Sequence, residues 1–302
     1  MATRALGANW DTERRRAFML GLAPALIVLA AITVAPAIYL LVTSLTPLNL
    51  VNPESGRDFS DPALNYREAF ADERFVNSVW VQVKLSIATV VSQLLIGLGV
   101  ALLLNARSKF LEAIRTTFLI PMVLPPIVVA IIWKVLYTPD ISPLHRALAY
   151  VGLPISSLIT DPNTALWAIA VAETWEWFPF TMLMLLAALQ MIPDEPIEAA
   201  RIDGASSWQL FWHVTLPYIQ PTLLVAGLFR LIDSIKAFPL IYVLTNGGPG
   251  SVTEVTNYYA FVQAFNFSYW GYASAIATML VIGVFLLSWL ISILGGDGIA
   301  HE

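Results

Sequence analysis

At 302 residues the chain is long enough for about two soluble domains, but 58% of its residues are hydrophobic and only 12% are charged, with a mean hydropathy of +0.71. So little polar surface cannot cover a water-exposed globule, which excludes an ordinary soluble enzyme and points to an all-α membrane protein. The net charge of −5, from 16 Lys and Arg against 21 Asp and Glu, has the wrong sign for gripping phosphate backbones, and the lack of cysteine excludes disulfides, thiolate metal sites and thiol catalysis.

Six apolar stretches are long enough to cross a hydrocarbon core of roughly 30 Å as helices: 17–45, 79–104, 114–137, 164–191, 222–244 and 272–294. The first follows Arg14, Arg15 and Arg16 but is far longer than a signal-peptide core, so it reads as an uncleaved span. With the N-terminus inside, the cytoplasmic segments hold eight basic residues, Arg4, Arg14, Arg15, Arg16, Arg107, Lys109, Arg115 and Arg201, against Arg57, Arg67, Arg74 and Arg146 outside. Both termini are therefore expected in the cytoplasm. The chain divides into residues 1–74, holding the N-terminus, first span and an acidic, proline-bearing outer loop, a membrane core over 75–295, and a short tail over 296–302.

Lys134, near the outer end of the third span, is expected to snorkel to the interface. Charges inside a span are costly and are expected to face a cavity or one another. In the fourth span Glu173, Glu176, Trp177 and Phe180 fall at i, i+3, i+4 and i+7, on one helical face. No basic residue is near Glu173 or Glu176 in sequence, so their partner must come from another helix, another subunit or a ligand. Trp175 and Phe178 read as packing or lipid contacts.

Between the fourth and fifth spans, residues 192–217 read as two short helices. Asp194 is placed to cap the first, Pro196 suits a first turn and Gly204 stops it. Ser206 and Gln209 have capping-box spacing for the second, which Pro217 is expected to end. Such a rigid knob on a membrane protein suits coupling to a partner rather than service as a solvated loop. In the fifth span Arg230, Asp233, Ser234 and Ala237 repeat the spacing seen in the fourth, and Arg230 and Asp233 can neutralise each other within a turn, with Lys236 next along. Asn246-Gly247-Gly248-Pro249-Gly250 demands a turn. Val255, Tyr258, Tyr259, Val262 and Phe265 then have helical spacing and suggest an amphipathic segment at the outer interface.

Glu198-Ala199-Ala200, Asp203-Gly204-Ala205 and Leu216-Pro217 together resemble the EAA signature of permease subunits in binding-protein-dependent ABC importers. With Asn65-Tyr66-Arg67, the stretch from Trp175 to Pro217, Leu244 through Gly250 and Gly271-Tyr272-Ala273-Ser274-Ala275, the chain is similar to the carbohydrate-uptake group typified by the maltose permease, on the larger-partner side of the permease pair. It departs at Pro239, where many relatives carry Asp. The resemblance implies the ABC type I importer transmembrane fold and transport of a sugar or sugar-like polyol into the cytoplasm. It implies three kinds of partner in the bilayer-embedded complex: a cytoplasmic ATPase dimer that holds ATP and Mg, a second permease subunit and an extracytoplasmic solute-binding protein. Glu198, Ala199, Ala200, Asp203, Gly204, Leu216 and Pro217 would couple to the ATPase. Sugar-contacting positions of the maltose-type subunit fall on Glu173, Glu176, Trp177, Phe180, Arg230, Asp233, Ser234 and Ala237.

The chain carries no G-x-x-x-x-G-K-[ST] phosphate loop, no H-E-x-x-H and no nucleophile elbow, so it is not expected to be an enzyme or to hold a cofactor or metal itself. Two other readings remain open within transport. Arg230 and Lys236 would suit a phosphorylated or sulfonated polyol, and Glu173 or Asp233 could serve as the relay of a proton-driven carrier.

Overall fold

The structure, a computed structural model, describes residues 3–105, 109–152 and 157–296. Arg107, counted above for orientation, and all but the first residue of the tail expected over 296–302 lie outside them. Helix α1 (Thr3–Ser44) opens far ahead of the expected position 17, and its 42 residues reach about 63 Å at 1.5 Å per residue. After a 3₁₀ turn at Pro53–Arg57 and α2 (Leu64–Ala71), α3 (Glu73–Leu104) also starts early. The Asp72 carboxylate accepts the Arg74 backbone N–H at 2.9 Å and caps its first turn.

The expected third span is not one helix. It is divided into α4 (Lys109–Phe118), α5 (Ile120–Val123) and the 12-residue α6 (Pro126–Tyr137). Pro121, Pro125 and Pro126 remove helix donors, and Leu124, just before a proline, turns to extended backbone. Beyond α7 (Pro143–Tyr150), α8 (Ala165–Gln190) matches the expected fourth span closely.

The pair of short helices expected over 192–217 is α9 (Asp194–Ile202) and α10 (Ser207–Leu210). Pro193, not Asp194, is the residue before α9, and Asp194 supplies its negative charge from inside the first turn. The Ser206–Gln209 capping box is present. Pro217 does not end the second helix. A π turn at Phe211–Thr215 widens the coil, so the Leu216 N–H bonds back to Phe211, and the helix continues as α11 (Leu216–Ile235). The expected fifth span, 222–244, breaks instead at Lys236, and α12 (Pro239–Leu244) follows because Pro239 cannot extend the hydrogen-bond ladder. After the Gly-Gly-Pro loop come α13 (Thr256–Phe261), a second π turn at Val262–Asn266 and α14 (Trp270–Gly296).

Among the described residues, four helices are long and apolar enough to span a membrane: Arg16–Ser44, Glu73–Leu104, Ser207–Ile235 and Trp270–Ile291. The segment Ala165–Gln190 joins them when taken with Asp194–Ile202 across a 71° bend. Six uninterrupted spans are thus replaced by long helices and proline-broken pieces.

The most extensive helix pair is α3 with α8. Gly97 permits it, since a Cβ there would lie 2.8 Å from Thr181 Cβ and 3.0 Å from the Met182 backbone nitrogen. One core cluster gathers Leu85, Ile169, Ala172, Ile241 and Val255, and another Leu104, Met182, Leu185 and Ile219. Val255, Tyr258, Tyr259 and Val262 belong to this interior rather than to a membrane interface; of the five expected interfacial residues Phe265 alone is exposed. Arg74 holds their loop in place, donating through Nε and Nη2 to Glu254 at 2.7 and 2.8 Å, while Asn77 donates to the Ser251 carbonyl at 3.0 Å. Helix α1 packs on α14 and is exposed along most of its described length.

Gly97→Val is expected to wedge α3 from α8 and cost about 1–3 kcal/mol, read as a lower unfolding midpoint of the detergent-solubilised protein. An unchanged midpoint would show that the contact is not close.

Candidate functional site

Helix α3 is apolar but carries Gln82, Ser86, Thr89 and Gln93 at i, i+4, i+7 and i+11, a polar stripe along one face. All four are buried. In an apolar bundle such groups require partners; Thr89 Oγ1 donates back to the Leu85 carbonyl at 2.9 Å, while Gln82, Ser86 and Gln93 find partners on α8 and α11. The Gln93 Nε2 donates to the Glu173 carbonyl at 3.1 Å, Gln82 Nε2 donates to the Ser234 carbonyl at 3.0 Å, and Ser234 Oγ donates to Ser86 Oγ at 2.8 Å.

At the centre lies Arg230, with none of its surface exposed. Its Nε donates to Gln93 Oε1 at 2.8 Å, Nη1 to Asp233 at 3.2 Å and Nη2 to Glu173 at 3.3 Å. Its guanidinium carbon lies 4.5 Å from the centre of the Trp177 ring, a cation–π contact that is strong where water is excluded. Lys236 extends the chain of charge, 3.2 Å from Asp233. Glu176, one turn beyond Glu173, is 1% exposed, yet its Oε1 has no hydrogen-bond partner among the described residues. The formal charges are three acids, Glu173, Glu176 and Asp233, against two bases, Arg230 and Lys236.

The expected site residues therefore divide. Glu173, Trp177, Arg230 and Asp233 meet directly. Phe180 flanks them, edge-on to Phe229 at 6.3 Å. Ser234 instead serves the α3 contact, and Ala237 packs into the core with Phe238. Gln93 was not among the expected site residues, although the polar stripe on α3 signals it. Trp175 and Phe178 prove to be packing residues, against Trp133 and Phe118. Lys134 does not snorkel freely; its Nζ donates to the Val243 carbonyl at 2.8 Å and ties α6 to α12.

The second candidate element is the knob of α9 and α10. No residue of α9 is buried. Glu198, Ala199, Asp203 and Gly204 are exposed, as are Met191, Ile202 and Trp208 at 81%, 85% and 70%. Gly204 closes α9 at φ +81°, and the Ala205 N–H reaches back to the Ala200 carbonyl at 2.9 Å, a left-handed helix stop for which glycine is suited. Leu216 and Pro217 open α11 and so connect the knob rigidly to the helix that bears Arg230.

Removing one member of a buried ion cluster strands the others. Arg230→Met is expected to destabilise the solubilised protein by about 3–5 kcal/mol, and Arg230→Met with Glu173→Gln to regain part of that loss. Equal unfolding midpoints for the single and double variants would contradict the pairing.

Comparison with known proteins gives this arrangement a family. Residues 93–295 match the family described as binding-protein-dependent transport system inner membrane component. The chain is 37% identical over 218 residues to a trehalose/maltose transport system permease protein of Thermococcus litoralis, covering 72% of this chain and 74% of that one. It is 34% identical over 274 residues to a trehalose transport system permease protein of Mycobacterium tuberculosis, covering 89% and 84%. A sulfoquinovosyl glycerol transport system permease protein of Agrobacterium fabrum is 34% identical over 272 residues, covering 89% and 87%. A chain of the bacterial alginate ABC transporter, solved with an alginate pentasaccharide-bound periplasmic protein, superposes with a TM-score of 0.81 over 94% of this chain and 95% of that one at 20% identity, which establishes the fold. The matched helical core, its buried charges and its exposed EAA knob make this multi-pass membrane chain a member of the binding-protein-dependent ABC permease family, with the type I importer fold.

Proposed function

We propose that the chain is the transmembrane permease subunit of an ATP-driven importer that passes a neutral sugar or polyol into the cytoplasm. The observation that carries the substrate class is the buried group around Arg230. Its guanidinium is already engaged by Gln93, Glu173 and Asp233, while Glu176 Oε1 lacks a donor. A hydroxyl-bearing ligand supplies the missing donor and packs its C–H faces on Trp177 and Phe180. With three acids facing two bases, the cluster offers no surplus positive charge to an anion, which favours a neutral polyol over a phosphorylated one. The sulfoquinovosyl glycerol relative keeps an anionic polyol as the second reading. A proton-driven carrier is disfavoured by the EAA knob, for which such a carrier has no use.

In this reading the N-terminus and the α9–α10 knob face the cytoplasm, as the Lys and Arg distribution indicates. A separate ATPase dimer binds ATP and Mg and receives the knob. A second permease subunit completes the pathway, and a soluble receptor delivers ligand to the outer face. Backbone approach at Gly204 transmits the ATPase motion through Leu216 and Pro217 to α11 and thus to Arg230.

The complex purified with its partner chains and reconstituted with internal ATP is expected to accumulate radiolabelled trehalose or maltose. Glu176→Leu should reduce uptake at least tenfold without lowering ATPase-subunit recovery. Uptake that ignores ATP but collapses with the proton gradient would overturn the reading. Gly204→Asp is expected to leave the chain in the membrane but remove receptor-stimulated ATP hydrolysis, because a charged side chain is forced into a left-handed position at the docking face. Normal stimulation would show that the ATPase does not approach there.

A further inference from the structure

A cavity of about 380 Å³, lined by neither Arg230 nor Glu176, lies where the segment after α1 and helix α2 meet α13 and α14. Three chain segments build it. Gly271 opens α14 against the outer loop, its N–H donating to the Leu48 carbonyl at 2.9 Å, and a Cβ at Gly271 would overlap the Thr46 carbonyl oxygen. Asn65 on α2 donates to the Ser44 and Thr46 carbonyls at 2.9 and 2.8 Å. Asp72 accepts from the Tyr259 hydroxyl and from the Tyr272 hydroxyl at 2.9 Å, joining the α2–α3 corner to α13 and α14. Burial alone would raise the Asp72 pKa, yet these hydroxyls and the Arg74 and Phe75 backbone N–H groups hold it below the usual carboxylate value.

The cavity wall so fixed has three tyrosine rings, Tyr259, Tyr269 and Tyr272, and polar groups that the fold leaves unused. Gln263 is 8% exposed, lines the cavity from the second π turn, and its amide has no hydrogen-bond partner among the described residues. Glu68 lines the same wall and has no ion-pair partner among the described residues. Both donors and the acceptor of the Gln263 amide are therefore available to a ligand in the cavity. Among the described residues no Lys or Arg lines the cavity.

We infer that this cavity is an extracytoplasmic binding site for a neutral polyhydroxylated ligand, a station the sugar occupies before it reaches the buried cluster. The inference rests on the sugar-importer reading and adds a second site to it. Ring faces at Tyr269 and Tyr272 stack on the sugar's C–H surface, the Gln263 amide both donates to and accepts from hydroxyls, and Glu68 accepts. The volume lies within the roughly 300–1,000 Å³ usual for small-molecule sites.

The test uses the complete complex in lipid nanodiscs without its soluble receptor, titrated calorimetrically with trehalose, maltose and glucuronate. Saturable binding of trehalose or maltose is expected, at least tenfold tighter than glucuronate, since carboxylates and no cation face the ligand. Binding should persist in Glu176→Leu and weaken at least tenfold in Gln263→Leu and in Tyr269→Ala, the latter altering a half-exposed side chain. If either sugar is imported but binds equally well to wild type and both cavity variants, or does not bind without receptor, the outer site is overturned and the importer reading survives. If the complex imports neither sugar nor any other and binds none, both readings fall together.

Discussion

A guanidinium with no exposed surface in an apolar helical bundle must be neutralised and hydrogen-bonded on every side, and the arrangement of three helices follows from that requirement at Arg230. Burying a charge is costly enough that partners must be fixed before the bundle closes. Gln93 on α3, Glu173 and Trp177 on α8 and Asp233 on α11 supply them. Each helix therefore has one rotation about its axis that satisfies the group. The close approach of α3 and α8 at Gly97 brings two of these faces within reach, and the polar stripe of α3 secures the third helix through Ser86 and Ser234.

The same economy of partners governs the ends of the bundle. Where the chain leaves the apolar zone, Arg74 grips Glu254 and Asp72 gathers two tyrosine hydroxyls, which ties the Gly-Gly-Pro loop and α13 to the start of α3. The hydroxyls and backbone N–H groups around Asp72 hold its pKa below the usual carboxylate value, so the stability it contributes at neutral pH is lost as pH falls through that lowered pKa and the carboxylate gains a proton. At the other end the knob of α9 and α10 is exposed but stiff, because its turn is set by Gly204 and its second helix by a capping box. Continuity from α10 through the π turn into α11 gives a mechanical path from that knob to Arg230, a continuity that the proline at 217 conceals in the sequence.

Much of this was legible from the amino-acid order. Composition dictated a membrane protein; the apolar runs located α1, α3, α8 and α14; Gly204 and Ser206 marked the helix stop and start; and the spacing of Glu173 with Trp177 and of Arg230 with Asp233 set each group on one face. These are local properties, decided within a few helical turns by periodicity, capping and proline chemistry. Resemblance through the EAA segment then placed the chain in its family.

Other features depend on what residues far apart in sequence do to one another. Which acid pairs with Arg230, why Gln93 belongs to the cluster and why Ser234 does not line it are set by the rotation of α3, α8 and α11, and helical period alone leaves that rotation open. The burial of Tyr258 and Tyr259 likewise needed α3 and α14 on either side; alone, their segment has the pattern of an interfacial helix. Helix breaks at 124–126 and 236–238 and the smooth passage through Pro217 show the remaining ambiguity. Proline states that a donor is missing, but only the surrounding packing decides whether the helix stops, bends or widens by one residue to continue.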